Sequence, residues 1–98
     1  MQIQIQAPWE VNEYLRAVII ENVEKLNTYY DRIERADVYL KMGDTTVPEG
    51  KLLEIRLAVP GNDLFAQDTA DSFEQAVAGT TEKLRRQLIK HKDKLNKR

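Results

Sequence analysis

Apolar and polar residues alternate at the start of the chain, where Met1, Ile3 and Ile5 are separated by Gln2, Gln4 and Gln6. A period of two predicts a half-buried strand, closed by Pro8. The period then lengthens. Leu15, Val18, Ile19, Val23, Leu26 and Tyr30 recur at three- and four-residue spacing, the single apolar stripe of an amphipathic helix. Asn12 stands where a cap would accept from free backbone N–H groups, and Glu13 follows in the first turn. This helix is expected to stop near Tyr30 or Asp31.

Alternation returns with Ala36, Val38, Leu40 and Met42, and again with Leu53, Ile55, Leu57 and Val59. These are a second and a third strand, joined by a loop over Gly43 to Gly50 that holds two glycines and Pro48. Pro60-Gly61-Asn62-Asp63 is a turn, with proline presetting φ and glycine and asparagine tolerating positive φ. A short fourth strand, about Leu64 to Asp68, forms the other arm of that hairpin. Ser72 and Gln75 then stand at capping-box spacing and open a last helix. Its buried side is read as Phe73, Ala76, Val77, Thr80, Leu84, Leu88 and Leu95.

The predicted order is β-α-β-β-β-α. It is an α+β domain: a four-stranded mixed sheet with two helices packed on one face and the other face wet. The first strand–helix–strand unit could be a parallel crossover. At 98 residues, with neither repeat nor linker, the chain reads as a single domain over 1–98. No apolar run approaches a membrane span, and Met1 to Ala7 does not have the pattern of a signal peptide. The absence of cysteine excludes disulfides and thiolate metal sites and suits a cytoplasmic location.

Charge changes the picture most. Residues 1–81 carry seven Lys/Arg and fourteen Asp/Glu, whereas residues 82–98 carry eight Lys/Arg against Glu82 and Asp93. So steep an asymmetry implies that one end meets a polyanion. On a helix, Leu84, Leu88, His91 and Leu95 fall within about 60° of one another. Lys83, Arg86, Lys90, Lys94 and Lys97 form a separate stripe within about 80°, a ridge roughly 21 Å long that can touch several phosphates. Arg85 and Lys92 flank it. Cations near a helix C-terminus also complement the macrodipole, which accounts for Lys94 and Lys97 without a partner but not for Lys83 and Arg86.

Catalytic signals are missing, and the chain is not expected to be an enzyme or to hold a cofactor or metal. His91 is the only histidine and lies on the apolar stripe, which favours a packed residue. Ser72 is the only serine and is used as a cap. Asp63, Asp68 and Asp71 do not match a calcium loop. Tyr29 and Tyr39 read as partly buried scaffold residues, and Trp9 as a cover for the core edge.

Three segments carry a resemblance: Glu24-Lys25-Leu26 with Tyr29-Tyr30-Asp31-Arg32-Ile33, the hairpin Val59 to Leu64, and above all Lys83-Leu84-Arg85-Arg86-Gln87-Leu88-Ile89-Lys90-His91-Lys92-Asp93-Lys94. With these the sequence resembles the hibernation promoting factor family of bacteria, also described as ribosome-associated inhibitors and, under an older label, as sigma-54 modulation proteins. The resemblance runs over nearly the whole chain and is to the short form, without a C-terminal dimerisation domain. It implies a factor that binds the small ribosomal subunit and its rRNA in the mRNA and tRNA channel and silences translation when growth slows. It also implies a second factor for ribosome pairing, no membrane, and a monomer off the ribosome.

Carried over by position, the resemblance adds Lys25 on the first helix to Lys83, Arg86, Lys90 and Lys92 on the second as RNA contacts. With Arg85 and Lys94 from the ridge and its flank, these make the expected RNA-binding set. Arg32 reads equally as an ion-pair partner of Asp31 or Glu34. Two other classes of function remain open at this point: a general double-stranded-RNA-binding module, and a regulator that docks its basic helix on an acidic protein. Reversing Lys83, Arg86 and Lys90 to glutamate is expected to abolish ribosome binding and leave the fold intact, since all three should face solvent.

Overall fold

The computed structural model describes residues 1–43 and 50–96. Strand β1 (Gln2–Gln6) leads into helix α1 (Glu13–Glu24), which passes into a 3-10 turn over Lys25–Thr28. Strands β2 (Arg35–Met42), β3 (Lys51–Val59) and β4 (Asn62–Ala70) follow, and helix α2 (Phe73–Asn96) closes the fold. The sheet order is β1-β2-β3-β4, with β1 parallel to β2 and the other pairs antiparallel. The element order and mixed sheet are those the periodicities predict.

Parity sets which residues meet the helices. Ala36, Val38 and Leu40 of β2, Leu53, Ile55, Leu57 and Val59 of β3, and Leu64 and Ala66 of β4 are buried in one core with the helix stripes. Ile3 and Ile5 of β1 pack against its margin. From α1 the core takes Leu15, Ile19 and Val23, with Leu26 and Tyr30 beyond it; from α2 it takes Phe73, Ala76, Val77, Leu84 and Leu88. Trp9 covers the core edge, its ring 5.6 Å from that of Phe73. Helix α2 lies along β3 and β4 and packs against α1, so both helices occupy one face of the sheet.

The alternate positions form the open face, where charge is paired across and along strands. Asp37 is buried there and accepts from Arg35 Nε at 3.1 Å. Lys41 reaches Glu54 at 3.0 Å on the neighbouring strand, and Tyr39 is half-buried. Phe65 also lies on this face, opposite Arg56, and is 45% exposed. It adds an apolar ring to a surface read from the sequence as polar.

Local chemistry fixes the ends. Asn12 caps α1 by accepting from Leu15 N at 2.8 Å, and Ser72 opens α2 by accepting from Gln75 N at 3.1 Å. The hairpin turn is Pro60-Gly61 alone, since Asn62 already pairs with Val59; Gly61 takes φ 83°, which a side chain would disfavour. Several boundaries differ from the expected ones. Regular α1 stops at Glu24 rather than near Tyr30, because the chain tightens into 3-10 geometry, where the Thr28 hydroxyl donates to the Lys25 carbonyl at 2.7 Å. Strands β2 and β3 begin at Arg35 and Lys51. Strand β4 is not short: it runs nine residues, because Asp68, Thr69 and Ala70 continue to pair with Leu53, Leu52 and Lys51. Most of the expected Gly43–Gly50 loop lies outside the described residues, as do the side chain of Leu95 and all of Lys97.

Candidate nucleic-acid interface

The burial of α2 determines where its charges point. Leu84 and Leu88 are fully buried, and so is Thr80, whose hydroxyl donates to the Ala76 carbonyl at 2.8 Å with the Leu53 carbonyl of β3 at 3.3 Å. Earlier in the helix, the Asp68 side chain of β4 packs directly on the backbone at Gly79: a Cβ there would lie 1.8 Å from Asp68 Oδ2. These contacts prevent α2 from rolling about its axis. Lys83, Arg86, Lys90 and Lys94, at spacings of three and four residues, are therefore all carried on the exposed side.

The four are not equivalent. Lys83 is tied down: its ammonium donates to the Gln67 carbonyl at 2.8 Å and lies 3.5 Å from Asp68 Oδ1. Gln87 similarly donates to the Phe65 carbonyl at 2.9 Å. Both carbonyls belong to the outer edge of β4, so two side chains of α2 cover an edge that would otherwise be open to another strand. Lys83 is exposed, as expected, with its side chain half open to solvent, but its charge is already partnered. Arg86, Lys90 and Lys94 make the freer line, with Arg86 leaning toward Glu82 at 3.6 Å.

On the α1 side of the ridge, Arg85 is held by Glu82, which accepts from Arg85 Nε at 3.0 Å and from Nη2. The hydrogen bond from Arg85 is the main cause that holds the Glu82 carboxyl below its ordinary range, and the same bond raises Arg85. The guanidinium sits over the Tyr29 ring, 5.8 Å from its centroid. This corner forms a groove between the helices, lined by Asn22, Lys25 and Tyr29 on one side and Thr81, Glu82 and Arg85 on the other. Lys25 is largely exposed there and pairs loosely with Glu21 at 3.7 Å. The fold thus brings Lys25 to the flank of the α2 cations, although 60 residues separate Lys25 from Arg85. Lys92 is exposed two turns further along α2.

A second concavity lies between the start of β4 and the last turns of α2, lined by Asn62, Leu64, Gln87, Lys90, His91 and Lys94 among others. His91 is half-buried and meets Tyr30 edge-on at 5.2 Å, the packed role expected of it. Among the described residues Arg32 forms no ion pair with Asp31 or Glu34. Among them, too, no group of three or more His, Cys, Asp or Glu could hold a metal ion, and no helix is long and apolar enough to cross a membrane.

Sequence reasoning placed the cations but missed their partners. Glu82 stands three and four residues before Arg85 and Arg86, a spacing that signals helix ion pairs. Asp68 and Gln67 reach Lys83 only through the packing of β4 against α2, and no local signal marks them.

The sequence and the fold have counterparts in known proteins. Residues 3–96 match the profile of the Sigma 54 modulation protein / S30EA ribosomal protein family. A ribosome hibernation promoting factor of Escherichia coli strain K12 is 35% identical over 86 residues, covering 88% of this chain and 86% of that protein. One from Pseudomonas putida is 28% identical over 95 residues, covering 96% and 89%. Among solved structures, a ribosomal subunit interface protein from Coxiella burnetii superposes with a TM-score of 0.84 at 21% identity, over 95% of this chain and 99% of that one. The N-terminal domain of Thermus thermophilus Protein Y gives 0.79 at 18% identity, over 93% and 99%. With the family profile spanning nearly the whole fold, this chain belongs to the Sigma 54 modulation protein / S30EA ribosomal protein family.

Proposed function

We propose that the protein is a ribosome hibernation factor: it binds the small ribosomal subunit through rRNA phosphates in the mRNA and tRNA channel and holds translation silent when growth slows. Arg86, Lys90 and Lys94 supply the principal phosphate contacts. Lys25, Arg85 and Lys92 widen the footprint toward α1, and Lys83 contributes from the β4 side. The reading is supported by relatives that are named for ribosome hibernation. The observation that carries it is the fixed rotation of α2: its stripe from Phe73 to Leu88 is buried in the core, and the cations are gathered on the exposed side. A helix that is merely solvated has no need to segregate its charges by sign from a body carrying twice as many acids as bases.

Cosedimentation with purified small subunits across a salt series tests it. Binding should weaken steeply with salt, since each phosphate contact releases counterions. Ribosome binding that survives removal of accessible RNA by ribonuclease would favour an acidic protein partner instead. Equal affinity for any RNA duplex would favour a general double-stranded-RNA module. Failure to sediment with subunits even at low salt would overturn the proposal.

A further inference from the structure

The acids at the interface are placed with as much definition as the cations. Glu82 lies between the ridge and its flank, accepting two hydrogen bonds from the Arg85 fork and standing 3.6 Å from Arg86 Nε. One carboxylate therefore engages two of the six Lys/Arg residues between Lys83 and Lys94. A guanidinium fork matches carboxylate and phosphate in the same bidentate geometry. A phosphate that takes the Nε–Nη2 fork of Arg85 must first displace Glu82.

We infer that Glu82 is a specificity-determining residue, an intramolecular competitor that occupies the arginine fork and yields it only to a ligand presenting several phosphates at once. The inference rests on the RNA-binding reading above and names how that site discriminates. Three features favour exchange over a permanent bridge. The Glu82 side chain is 46% exposed, so it can swing into solvent without moving the backbone. Arg85 is already supported by the Tyr29 ring on its other side and keeps its position when the carboxylate leaves. Arg86 is 69% exposed and reaches the same carboxylate from the ridge side, so adjacent phosphates can take both guanidinium groups in one event. The hydrogen bond from Arg85 holds the Glu82 carboxyl below its ordinary range. A lone anion gains one fork and must repel Glu82; a strand of phosphates gains the fork together with Arg86, Lys90 and Lys94.

The test compares wild type, Glu82→Gln and Glu74→Gln for binding to small ribosomal subunits and to a short single-stranded RNA across a salt series. Glu74 is exposed in the first turn of the same helix, so its substitution makes the same change in net charge away from the fork. Glu82→Gln should bind about three- to sixfold more tightly near 0.15 M salt, with a salt slope steeper by up to about one, which is the gain of one phosphate contact. Glu74→Gln should match wild type, and all three should melt within a few degrees of one another. If Glu82→Gln binds equally or more weakly, or if Glu74→Gln tightens binding as much, the inference is overturned while the RNA reading stands. If none of the three binds either ligand, both fall together.

Discussion

From Phe73 to Thr81, α2 carries a single charged residue, Glu74; from Glu82 to Asn96 it carries eight. Yet one apolar stripe runs through both stretches, from Phe73 and Val77 to Leu84 and Leu88. The first stretch is pressed into the sheet, with Gly79 against Asp68 and the Thr80 hydroxyl close to β3. The second keeps only its stripe inside and turns its remaining surface to solvent. The difference shows a division of labour within one helix: the uncharged turns fix position and rotation, and the charged turns use that rotation to aim. Neither would suffice alone, since a basic helix free to roll would present no fixed line of charge.

The comparison breaks most readily at the stripe itself. Leu84 is fully buried and lies where the two stretches meet. Leu84→Ala should lower the stability of the fold by about 2–5 kcal/mol, read by denaturant unfolding. A loss well under 1 kcal/mol would mean that the second stretch is not anchored as described.

The next effect isolates the aiming. The reversal Arg86→Glu, Lys90→Glu and Lys94→Glu leaves Lys83 in its contacts with Asp68 and Gln67. It should reduce affinity for small subunits by at least about a hundredfold near 0.15 M salt, because three side chains that attract phosphates would now repel them. Thermal unfolding should stay cooperative. Retained binding by the folded triple variant would defeat the ridge.

Within the first stretch, Gly79 and Asp68 form a coupled pair. Alanine is ordinarily the better helix residue by about 0.5–1 kcal/mol. Here its Cβ would collide with the Asp68 carboxyl and force it off Lys83. Gly79→Ala alone should therefore cost about 1 kcal/mol, whereas in an Asp68→Ala background the same change should stabilise by about 0.5–1 kcal/mol. Additive effects in this double-mutant cycle would show that the contact carries no coupling.

Much of this was legible in the sequence. Order, sheet face and helix stripes follow from periods of two and 3.6, because Ala36–Met42 and Leu53–Val59 alternate cleanly and Leu84 and Leu88 repeat by a turn. The length of β4 was not legible. Thr69 and Ala70 lie beyond the expected end at Asp68, and only pairing with Leu52 and Lys51 makes them strand. The same limit hid the site's acids. Glu82 acts within its own helix and its spacing is visible, but the tether on Lys83 depends on β4 reaching α2 across 15 residues of chain. Sequence reads which charges share a face; packing decides which of them are already paired.

That distinction gives the smallest and most discriminating effect. Lys90 has no described ion-pair partner, while Lys83 is shared between Asp68 and the Gln67 carbonyl. Neutralising a cation that meets a phosphate lowers the slope of log affinity against log salt by about one. Lys90→Gln should show that full step. Lys83→Gln should show less, because a lysine whose charge is balanced by Asp68 neutralises less of a phosphate and so releases fewer of the RNA's counterions, and any phosphate it meets must compete with that carboxylate. Removing the tether should restore the difference: in an Asp68→Asn background, Lys83→Gln should lower the slope as much as Lys90→Gln does. Identical slopes for the two lysines in the wild-type background would mean that the tether opens freely on binding, and that the sheet holds Lys83 no more firmly than solvent holds Lys90.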